Sequence, residues 1–240
     1  MNVLVTGGSR GLGLAIVAEQ LTVGNRVIAV ARQQSPALQE LAERYPGKLE
    51  FVAIELGQVD QLKSNLWATD VLQSGPLHAV VNNAATAYDD LVSNLDVEPL
   101  EAMFRVNVFS AMMLTKLAIR HMLLHHTPGS IVFVSSVSAH TGYKGLAMYA
   151  ATKGAIEAFS KNVAREWGAK GIRSNCVVPG FMETEMSANL TDDQKQRIYQ
   201  RTSLKQASDL QSVAATVGFL ISDASRSITG QAIHVDAGTI

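Results

Sequence analysis

A tyrosine and a lysine four residues apart, Tyr149 and Lys153, are the first side chains whose types and spacing suggest chemistry. On a helix, this spacing places both side chains on one face. A free phenol has a pKa of about 10, and a neighbouring ammonium group favours phenolate. We therefore expect Lys153 to lower the pKa of Tyr149 toward neutrality. Such a phenol can give a proton to an oxygen that gains negative charge, and take it back in the reverse reaction.

A serine lies thirteen residues before this tyrosine, where a predicted strand ends. The hydroxyl of Ser136 can hydrogen-bond the same oxygen and orient it, so the three residues indicate acid–base work on a carbonyl or an alcohol. The hydride in such a reaction comes from a cofactor. Because Y-x-x-x-K often arises by chance, this interpretation requires a cofactor site elsewhere in the chain.

A glycine-rich turn is the candidate for that site. Thr6-Gly7-Gly8-Ser9-Arg10-Gly11-Leu12-Gly13 follows the first predicted strand and leads into a helix. Glycines allow a pyrophosphate close to the backbone, and the N–H groups of a helix N-terminus favour an anion. This placement predicts a dinucleotide site, although a turn needed only for packing is the alternative. The predicted contacts are Gly7, Ser9, Arg10, Gly11, Leu12 and Gly13.

Short β-branched runs alternate with helical patterns along the whole chain. Strands are predicted at residues 2–6, 26–31, 49–55, 78–82, 130–135, 172–178 and 231–236, and helices at 11–21, 37–44, 60–72, 98–125, 149–167 and 210–222. Several strands are apolar without a gap, as parallel strands covered on both faces require. The expected fold is α/β, a single doubly wound Rossmann-type domain over residues 1–240. Its seven-stranded sheet is mostly parallel, with helices on both faces.

Two longer stretches, residues 136–148 and 181–208, show no regular pattern, and each follows the end of a strand. Ligands in open α/β sheets bind at the carboxyl ends of the strands. We therefore expect the two stretches to line a substrate cleft; the alternative is that they only decorate the surface.

The residue at the end of the second predicted strand indicates which dinucleotide binds. An acidic residue there would accept hydrogen bonds from the adenosine 2′-hydroxyl and repel a 2′-phosphate. This chain has Arg32 instead, and Arg10 lies in the glycine turn. Two guanidinium groups suit a phosphate dianion, although either could be an ordinary surface charge. The predicted cofactor is NADP(H).

The spacing T-G-x-x-x-G-x-G, followed by Ser136 and Y-x-x-x-K, resembles the short-chain dehydrogenase/reductase family over essentially the whole chain. The resemblance implies that Asn107 is a fourth catalytic residue, which holds a water that relays protons. It also implies that Lys153 holds the nicotinamide ribose, and that Met182 and Thr184 hold the carboxamide. Ala85 replaces the usual glycine after the paired asparagines. The full set of further cofactor contacts implied is Glu55, Leu56, Asn82, Asn83, Ala84, Tyr149, Lys153, Pro179, Gly180, Met182 and Thr184.

Each of these further contacts has a simpler interpretation. Glu55 could be a solvated carboxylate, the asparagines could belong to an ordinary turn, and Pro179-Gly180 could simply end a strand.

The overall pattern is most similar to 3-oxoacyl-[acyl-carrier-protein] reductases. This implies reduction of a β-keto thioester in fatty-acid or polyketide-type synthesis, with an acidic acyl-carrier protein as partner. Lys170 stands at one position where the family has a basic docking residue, while His125-His126-Thr127 replace the other. Lys195, Arg197 and Arg201 could contribute instead. The alternatives are a reductase or dehydrogenase of a free carbonyl or secondary alcohol, and an idle NADP-binding sensor; the intact Ser136, Tyr149 and Lys153 argue against the sensor.

Composition limits the other possibilities. The net charge of −1 and the absence of like-charge blocks give no field for nucleic acid or an anionic membrane. Cys176 is the single cysteine, which excludes an intramolecular disulfide. The chain enters a strand at once, without the pattern of a secretion signal, and has no run of about eighteen apolar residues. We expect a cytoplasmic protein with no membrane segment. The six histidines show no zinc-ligand spacing, so no metal is expected.

The predicted helix over residues 98–125 is apolar nearly all round. The sheet can cover only one face of it, so a second apolar face remains. The family resemblance implies a homotetramer formed through this helix, the helix after it and the last strand. A purely internal use of these apolar residues, under long loops, is the alternative.

Overall fold

A computed structural model describes residues 1–66, 70–73, 75–184 and 190–240 of the chain. Seven strands form one sheet in the order β3-β2-β1-β4-β5-β6-β7, and every neighbouring pair is parallel. The predicted α/β fold with a seven-stranded sheet is confirmed. The strands are β1 Asn2–Thr6, β2 Arg26–Ala31, β3 Leu49–Ala53, β4 Ala79–Asn82, β5 Gly129–Val134, β6 Ile172–Pro179 and β7 Ala232–Val235.

Helices connect these strands and cover the sheet. Their bounds are α1 Gly11–Thr22, α2 Pro36–Arg44, α3 Leu62–Leu66, α4 Asp70–Gln73, α5 Val97–Phe104, α6 Ser110–Leu124, α7 Ala147–Trp167, α8 Asp192–Arg201 and α9 Leu210–Ile221. A π-helical segment, Arg105–Phe109, joins α5 to α6, so the predicted helix over 98–125 contains a change of helical type. Part of the predicted helix over 60–72 lies outside the described residues. Its described parts are a 3₁₀ turn at Val59–Gln61, then α3 and α4.

Helix α8 lies inside the stretch predicted to be irregular, of which residues 185–189 lie outside the described residues. Its N-terminus has a capping box: Thr191 Oγ1 accepts from the Gln194 amide at 3.3 Å, and Gln194 Oε1 accepts from the Thr191 amide at 2.9 Å. The helix is almost entirely polar, with no buried residue, so it lacks the apolar periodicity that identifies most helices.

Two apolar layers cover the two faces of the sheet. Val3 and Val5 pack on one side with Ile16, Val17 and residues of α9. Leu4, Val80, Ile131 and Phe133 pack on the other with residues of α3, α6 and α7. This alternation follows from the two-residue period of a strand. A fully buried Leu, Ile or Val side chain stabilises the fold by about 1.5–3 kcal/mol, so the parallel sheet is held mainly by these two layers.

The segment Val97–Leu124 is long and apolar enough to cross a membrane by length and composition, but 56% of its apolar window is buried inside the protein. It thus has the character of a core helix. On its outer side Phe109 is 49% exposed and Leu124 is 76% exposed. Phe109 borders a groove of about 410 Å³ that also touches Met112 and Met113.

Candidate active site

The glycine turn joins β1 to α1 with a geometry that larger residues cannot adopt. Gly7 and Gly11 have φ angles of +67° and +53°. A Cβ atom on Gly13 would lie 2.0 Å from the carbonyl oxygen of Gly7, so the first turn of α1 packs directly on the loop. Arg10 is the N-cap residue of α1, and its side chain does not cap the helix. The loop therefore has the close backbone approach and the helix N-terminus that a pyrophosphate requires.

The end of β4 is attached to this turn through Thr6. Thr6 Oγ1 accepts hydrogen bonds from the amides of Asn83 and Ala84, both at 3.0 Å, and Asn83 Nδ2 donates to the Thr6 carbonyl at 2.8 Å. Asn82 Nδ2 donates to Thr115 Oγ1 at 3.4 Å. The Oδ1 atom of Asn82 is buried and has no hydrogen-bond partner within the described part of the chain. This buried polar atom and the glycine cradle both fit a polar ligand such as a dinucleotide.

Arg10 and Arg32 are both exposed, in two loops that are tied together. The Ser35 hydroxyl, at the N-cap of α2, donates to the carbonyl oxygen of Ser9. The two guanidinium groups thus belong to adjoining loops at the carboxyl ends of β1 and β2, where the sequence places the adenosine 2′-phosphate.

The remaining predicted contacts on this side divide between surface and core. Glu55 is exposed, and its Oε1 accepts from the Gly57 amide at 3.4 Å. The Leu12 and Leu56 side chains are buried in the two opposite apolar layers, while Ala84 packs at the edge of one of them. Leu12 and Leu56 can therefore approach a cofactor through their backbones rather than through their full side chains.

Tyr149 and Lys153 lie in the first two turns of α7, with Lys153 Nζ 5.4 Å from the centroid of the Tyr149 ring. Lys153 is only 3% exposed and donates from Nζ to the Val134 carbonyl at 2.8 Å. Burial lowers the pKa of Lys153 to about 8, opposed by the charges of Cys176 and Glu157.

Burial raises the pKa of Tyr149 well above its ordinary value, and the charge of Asp89 acts in the same direction. The expectation that Lys153 lowers the pKa of Tyr149 is therefore wrong for this structure. The physical reason is that loss of hydration disfavours the charged form of a buried group, and this is the largest cause of the shift at Tyr149.

Ser136 follows β5 and begins a 3₁₀ turn, Val137–Ala139. Its Oγ accepts a hydrogen bond from the Ser138 amide at 3.2 Å, as the N-cap residue of that turn. Ser136 therefore stands at the carboxyl end of the strand next to β4, on the same edge of the sheet as the glycine turn and the paired asparagines.

Asn107 lies in the π-helical segment, and its side chain is fully engaged with the protein. Oδ1 accepts from the Thr86 amide at 2.8 Å, while Nδ2 donates to the Thr86 carbonyl at 2.8 Å and to Thr152 Oγ1 at 3.1 Å. Thr152 Oγ1 in turn donates to the Tyr149 carbonyl at 2.7 Å. Asn107 thus connects the loop after β4 to the first turn of α7. A π segment inside an α-helix is often found at a functional site.

The segment after β6 turns back over the glycine turn. Pro179 is the last residue of β6, and the Gly180 amide donates to the Val235 carbonyl at 3.1 Å. A Cβ atom on Gly180 would lie 2.8 Å from Asp236 Cα, so only glycine fits this approach. Thr184 Cγ2 lies 3.8 Å from the position of a Cβ on Gly11, and Met182 packs against the apolar layer that contains α1. The predicted contacts thus surround one edge of the sheet.

The four basic residues predicted to bind the carrier protein differ in exposure. Lys170 follows α7 and is exposed, as are Arg197 and Arg201 on α8. Lys195 is partly buried, with its Nζ 3.6 Å from Glu183 Oε2, and Glu183 also accepts from the Tyr199 hydroxyl. One of the four cations therefore lies beside a carboxylate. Among the described residues, no three His, Cys, Asp or Glu side chains form a group that could hold a metal ion.

Sequence reasoning missed three polar residues close to these positions. Asp89 influences the Tyr149 phenol, and Thr152 connects Asn107 to α7. Glu157 is buried, although a carboxylate in a predicted helix is ordinarily assigned to the solvent side. The available signal was its position four residues after Lys153, on the same face of the helix.

Comparisons with known proteins agree with this geometry. The sequence model of the family described as enoyl-(acyl carrier protein) reductase matches residues 7–239. Carbonyl reductase [NADPH] 2 of Sus scrofa is 34% identical over 240 residues, covering 99% of this chain and 96% of that protein. The 3-oxoacyl-[acyl-carrier-protein] reductase FabG of Escherichia coli is 33% identical over 235 residues, covering 98% of this chain and 95% of that protein.

A solved structure from Beutenbergia cavernae, assigned to NAD(P)-dependent gluconate 5-dehydrogenase and holding NADP at low occupancy, superposes with a TM-score of 0.91. It is 26% identical in sequence, with 99% of this chain and 96% of that chain covered. The matches extend over the glycine turn, α7 and β7. The chain therefore belongs to the short-chain dehydrogenase/reductase family and is an NADP(H)-dependent oxidoreductase.

Proposed function

We propose that the chain uses NADPH to reduce the ketone of a 3-oxoacyl thioester, carried on an acyl-carrier protein, to the 3-hydroxyacyl thioester. The observation that supports the proposal is that Lys153 lies beside Tyr149 and donates to Val134, two residues before Ser136, at the sheet edge that also carries the glycine turn. The chain is also similar over nearly its full length to a 3-oxoacyl-[acyl-carrier-protein] reductase. Fatty-acid or polyketide-type synthesis is the setting that such a substrate implies.

The cofactor would be held along the edge described above. The backbone of Gly7 to Gly13 would hold the pyrophosphate, and Arg10 and Arg32 the 2′-phosphate. The segment from Pro179 to Thr184 would cover the nicotinamide end, with Lys153 at its ribose. When bound, NADPH supplies the hydride.

Tyr149 would be the acid of the reduction. A phenol carries its proton at neutral pH, and burial raises the pKa of Tyr149 further, so the reduction would start with a proton in place for the carbonyl oxygen. Ser136 would hydrogen-bond the same oxygen and fix its direction. Lys153, with a pKa lowered to about 8, would stay mostly cationic at pH 7 and favour the phenolate left after transfer. Asn107 would connect this group to the loop after β4, on the route along which protons are replaced.

An acidic carrier protein would be attracted by exposed cations on the surface of the chain. Lys170, Arg197 and Arg201 are available for this role, while Lys195 lies beside Glu183. Exposed charges of this kind act mainly through the association rate, so they steer a macromolecular partner without fixing the chemistry of the acyl group.

Reduction of a free carbonyl, or oxidation of a free secondary alcohol, is the second candidate. Two observations favour it: the replacement of a basic docking residue by His125-His126-Thr127, and the similarity to a carbonyl reductase and to a structure assigned to gluconate 5-dehydrogenases.

A single assay separates these candidates. NADPH oxidation would be followed with acetoacetyl-carrier protein, an acetoacetyl thioester of a short pantetheine analogue, a 2-enoyl thioester and a small free diketone. NADP⁺ reduction would be followed with gluconate. We expect the highest kcat/KM with the carrier-bound ketone and no turnover of the enoyl thioester. Faster turnover of the diketone or of gluconate would replace the proposal with the second candidate.

We also propose a cytoplasmic homotetramer of single-domain subunits, each comprising residues 1–240. The exposed Phe109 and the adjoining groove on α6 support a subunit contact, since a large apolar surface is seldom left in water. Replacing Phe109 with Glu would place a charge in that contact. Sedimentation should then show a smaller species than the tetramer expected for the parent protein.

A further inference from the structure

The turn that presents Ser136 closes around one buried carboxylate oxygen. The Ser135 hydroxyl donates to Glu157 Oε1, and His140 Nε2 lies 3.0 Å from the same oxygen. Ser135 comes directly before Ser136, and His140 follows it by four residues. Glu157 lies on α7, one helical turn after Lys153. The segment from Ser135 to His140 is called the serine turn below. Both of its ends therefore contact one oxygen atom on the helix that carries Tyr149.

The partners of this carboxylate are well defined. Glu157 is 7% exposed and Ser135 is 2% exposed, so bulk water cannot replace the hydrogen bond between them. The serine hydroxyl donates to this oxygen, and the imidazole can donate to it from Nε2. The His140 ring packs edge-on against His234, with 4.8 Å between centroids, and His234 Nδ1 lies 3.8 Å from Asp236 Oδ2. Residues at the end of β7 thus fix the orientation of the imidazole.

A second side chain of α7 binds the residue just before Ser135. Lys153 Nζ donates to the Val134 carbonyl at 2.8 Å, so two side chains one turn apart on α7 hold two consecutive residues at the end of β5. Within the turn, Ser136 Oγ is held by the Ser138 amide at 3.2 Å. The position of Ser136 relative to Tyr149 therefore depends on where the whole turn is attached.

We propose that Glu157 is a positioning residue, which sets the Ser136 hydroxyl against Tyr149 by anchoring both ends of the serine turn. The inference rests on the proposed function, in which Ser136 orients the carbonyl oxygen. Reacting groups displaced by about 1 Å can lose on the order of 10²-fold in rate. Loss of an anchor on the serine turn should therefore lower kcat while leaving cofactor binding intact.

A double-mutant cycle tests the inference. NADPH-dependent reduction of the acetoacetyl pantetheine thioester would be measured for the parent, Ser136→Ala, Glu157→Ala and the variant with both changes. We expect Glu157→Ala to lower kcat by about tenfold or more, with an unchanged Kd for NADPH by fluorescence titration. In the Ser136→Ala background, the same change should lower kcat less than about twofold, because the hydroxyl that it positions is gone.

Two further variants separate positioning from general damage. Glu157→Gln keeps the Oε1 acceptor and should recover kcat to within about threefold of the parent. His140→Ala removes one anchor at a site where the imidazole is 29% exposed, so it should fold even if Glu157→Ala does not. It should lower kcat with the same dependence on Ser136. Unfolding temperatures would be recorded for all variants.

The inference alone would be overturned if Glu157→Ala lowered kcat by the same factor in the parent and in the Ser136→Ala background. If Glu157→Ala does not fold, the same comparison with His140→Ala decides. Parent-like kcat in these variants would do the same. Parent-like activity of Ser136→Ala would instead overturn the proposed role of Ser136, and the inference with it.

Discussion

Lys153 donates a hydrogen bond from its ammonium group to the carbonyl oxygen of Val134, the last residue of β5. Burial lowers the pKa of Lys153 to about 8 and raises that of Tyr149 above its ordinary value. Both shifts disfavour the charged forms, and a phenol carries its proton at neutral pH even at its ordinary pKa of about 10. A neutral phenol next to a cation is the state that reduction of a ketone needs at its start.

The first prediction concerns this phenol. Tyr149→Phe removes the donated proton and hardly changes the ring, so kcat for ketone reduction should fall by roughly 10²-fold or more while the Kd for NADPH changes little. Steady-state kinetics and fluorescence titration measure the two quantities. Retention of turnover within a few-fold of the parent would mean that Tyr149 is not the acid.

The second prediction concerns cofactor choice. Arg32→Asp replaces the proposed partner of the 2′-phosphate with a repulsive charge and offers an acceptor to a 2′-hydroxyl. The Kd for NADPH should rise by tenfold or more, and the Kd for NADH should rise much less. Arg44→Asp, on the exposed surface of α2, serves as the control for net charge. A similar rise for both cofactors would show that Arg32 does not read the phosphate.

How far the sequence could predict these features depends on how local the cause is. The strands are confirmed, with ends within two residues of the predicted ones. The clearest are residues 27–30 and 131–134, which are apolar without a gap because they are covered on both faces of the sheet. The π-helical segment Arg105–Phe109 has no local signal, since its apolar residues continue the pattern of α5 and α6. Helix α8 was missed because it has too few apolar residues, Ile198 and Tyr199 among eight polar ones, to show a helical period.

The site shows the same limit. The glycine turn and Y-x-x-x-K are contiguous patterns, so their places in the fold, between β1 and α1 and at the start of α7, could be predicted from the sequence. The burial of Glu157 depends on Ser135 and His140, which lie far from it in the chain. The direction of the Tyr149 pKa shift depends on how much water the fold removes, and no spacing of residues contains that information.

The third prediction concerns carrier recognition. Salt screens exposed charges over about 10 Å at 0.1 M ionic strength, so steering of an acidic partner weakens as salt rises. Activity on the carrier-bound ketone should fall with added NaCl, and activity on the pantetheine analogue should fall much less. Lys170→Glu and Arg197→Glu should raise KM for the carrier substrate alone. A parallel loss with both substrates would indicate damage to the fold rather than to docking.

The fourth prediction concerns the pH dependence of stability, and it uses two histidines whose pKa values are lowered by burial. His121 Nδ1 accepts from the Leu77 amide at 3.3 Å, and its Nε2 lies 3.4 Å from the Leu72 carbonyl oxygen. With Nδ1 used as an acceptor, the ring is neutral and its proton is on Nε2. Burial lowers the pKa of His121, and the nearby His125 acts in the same direction. Burial likewise lowers the pKa of His78, whose Nδ1 accepts from the Asn2 amide at 3.0 Å.

For both groups the folded state binds a proton less readily than the unfolded state, whose histidine pKa is about 6.5. Their contribution to stability is therefore complete above pH 6.5 and is lost as the pH falls from there toward the folded pKa values. Urea unfolding between pH 7.5 and 5.5 should show a falling free energy of unfolding, with a slope of at most about 1.4 kcal/mol per pH unit for each proton. His121→Gln retains a hydrogen-bond acceptor and should reduce that slope by up to one proton. An identical slope in the parent and in His121→Gln would show that the two states of the protein bind the proton equally well at this residue.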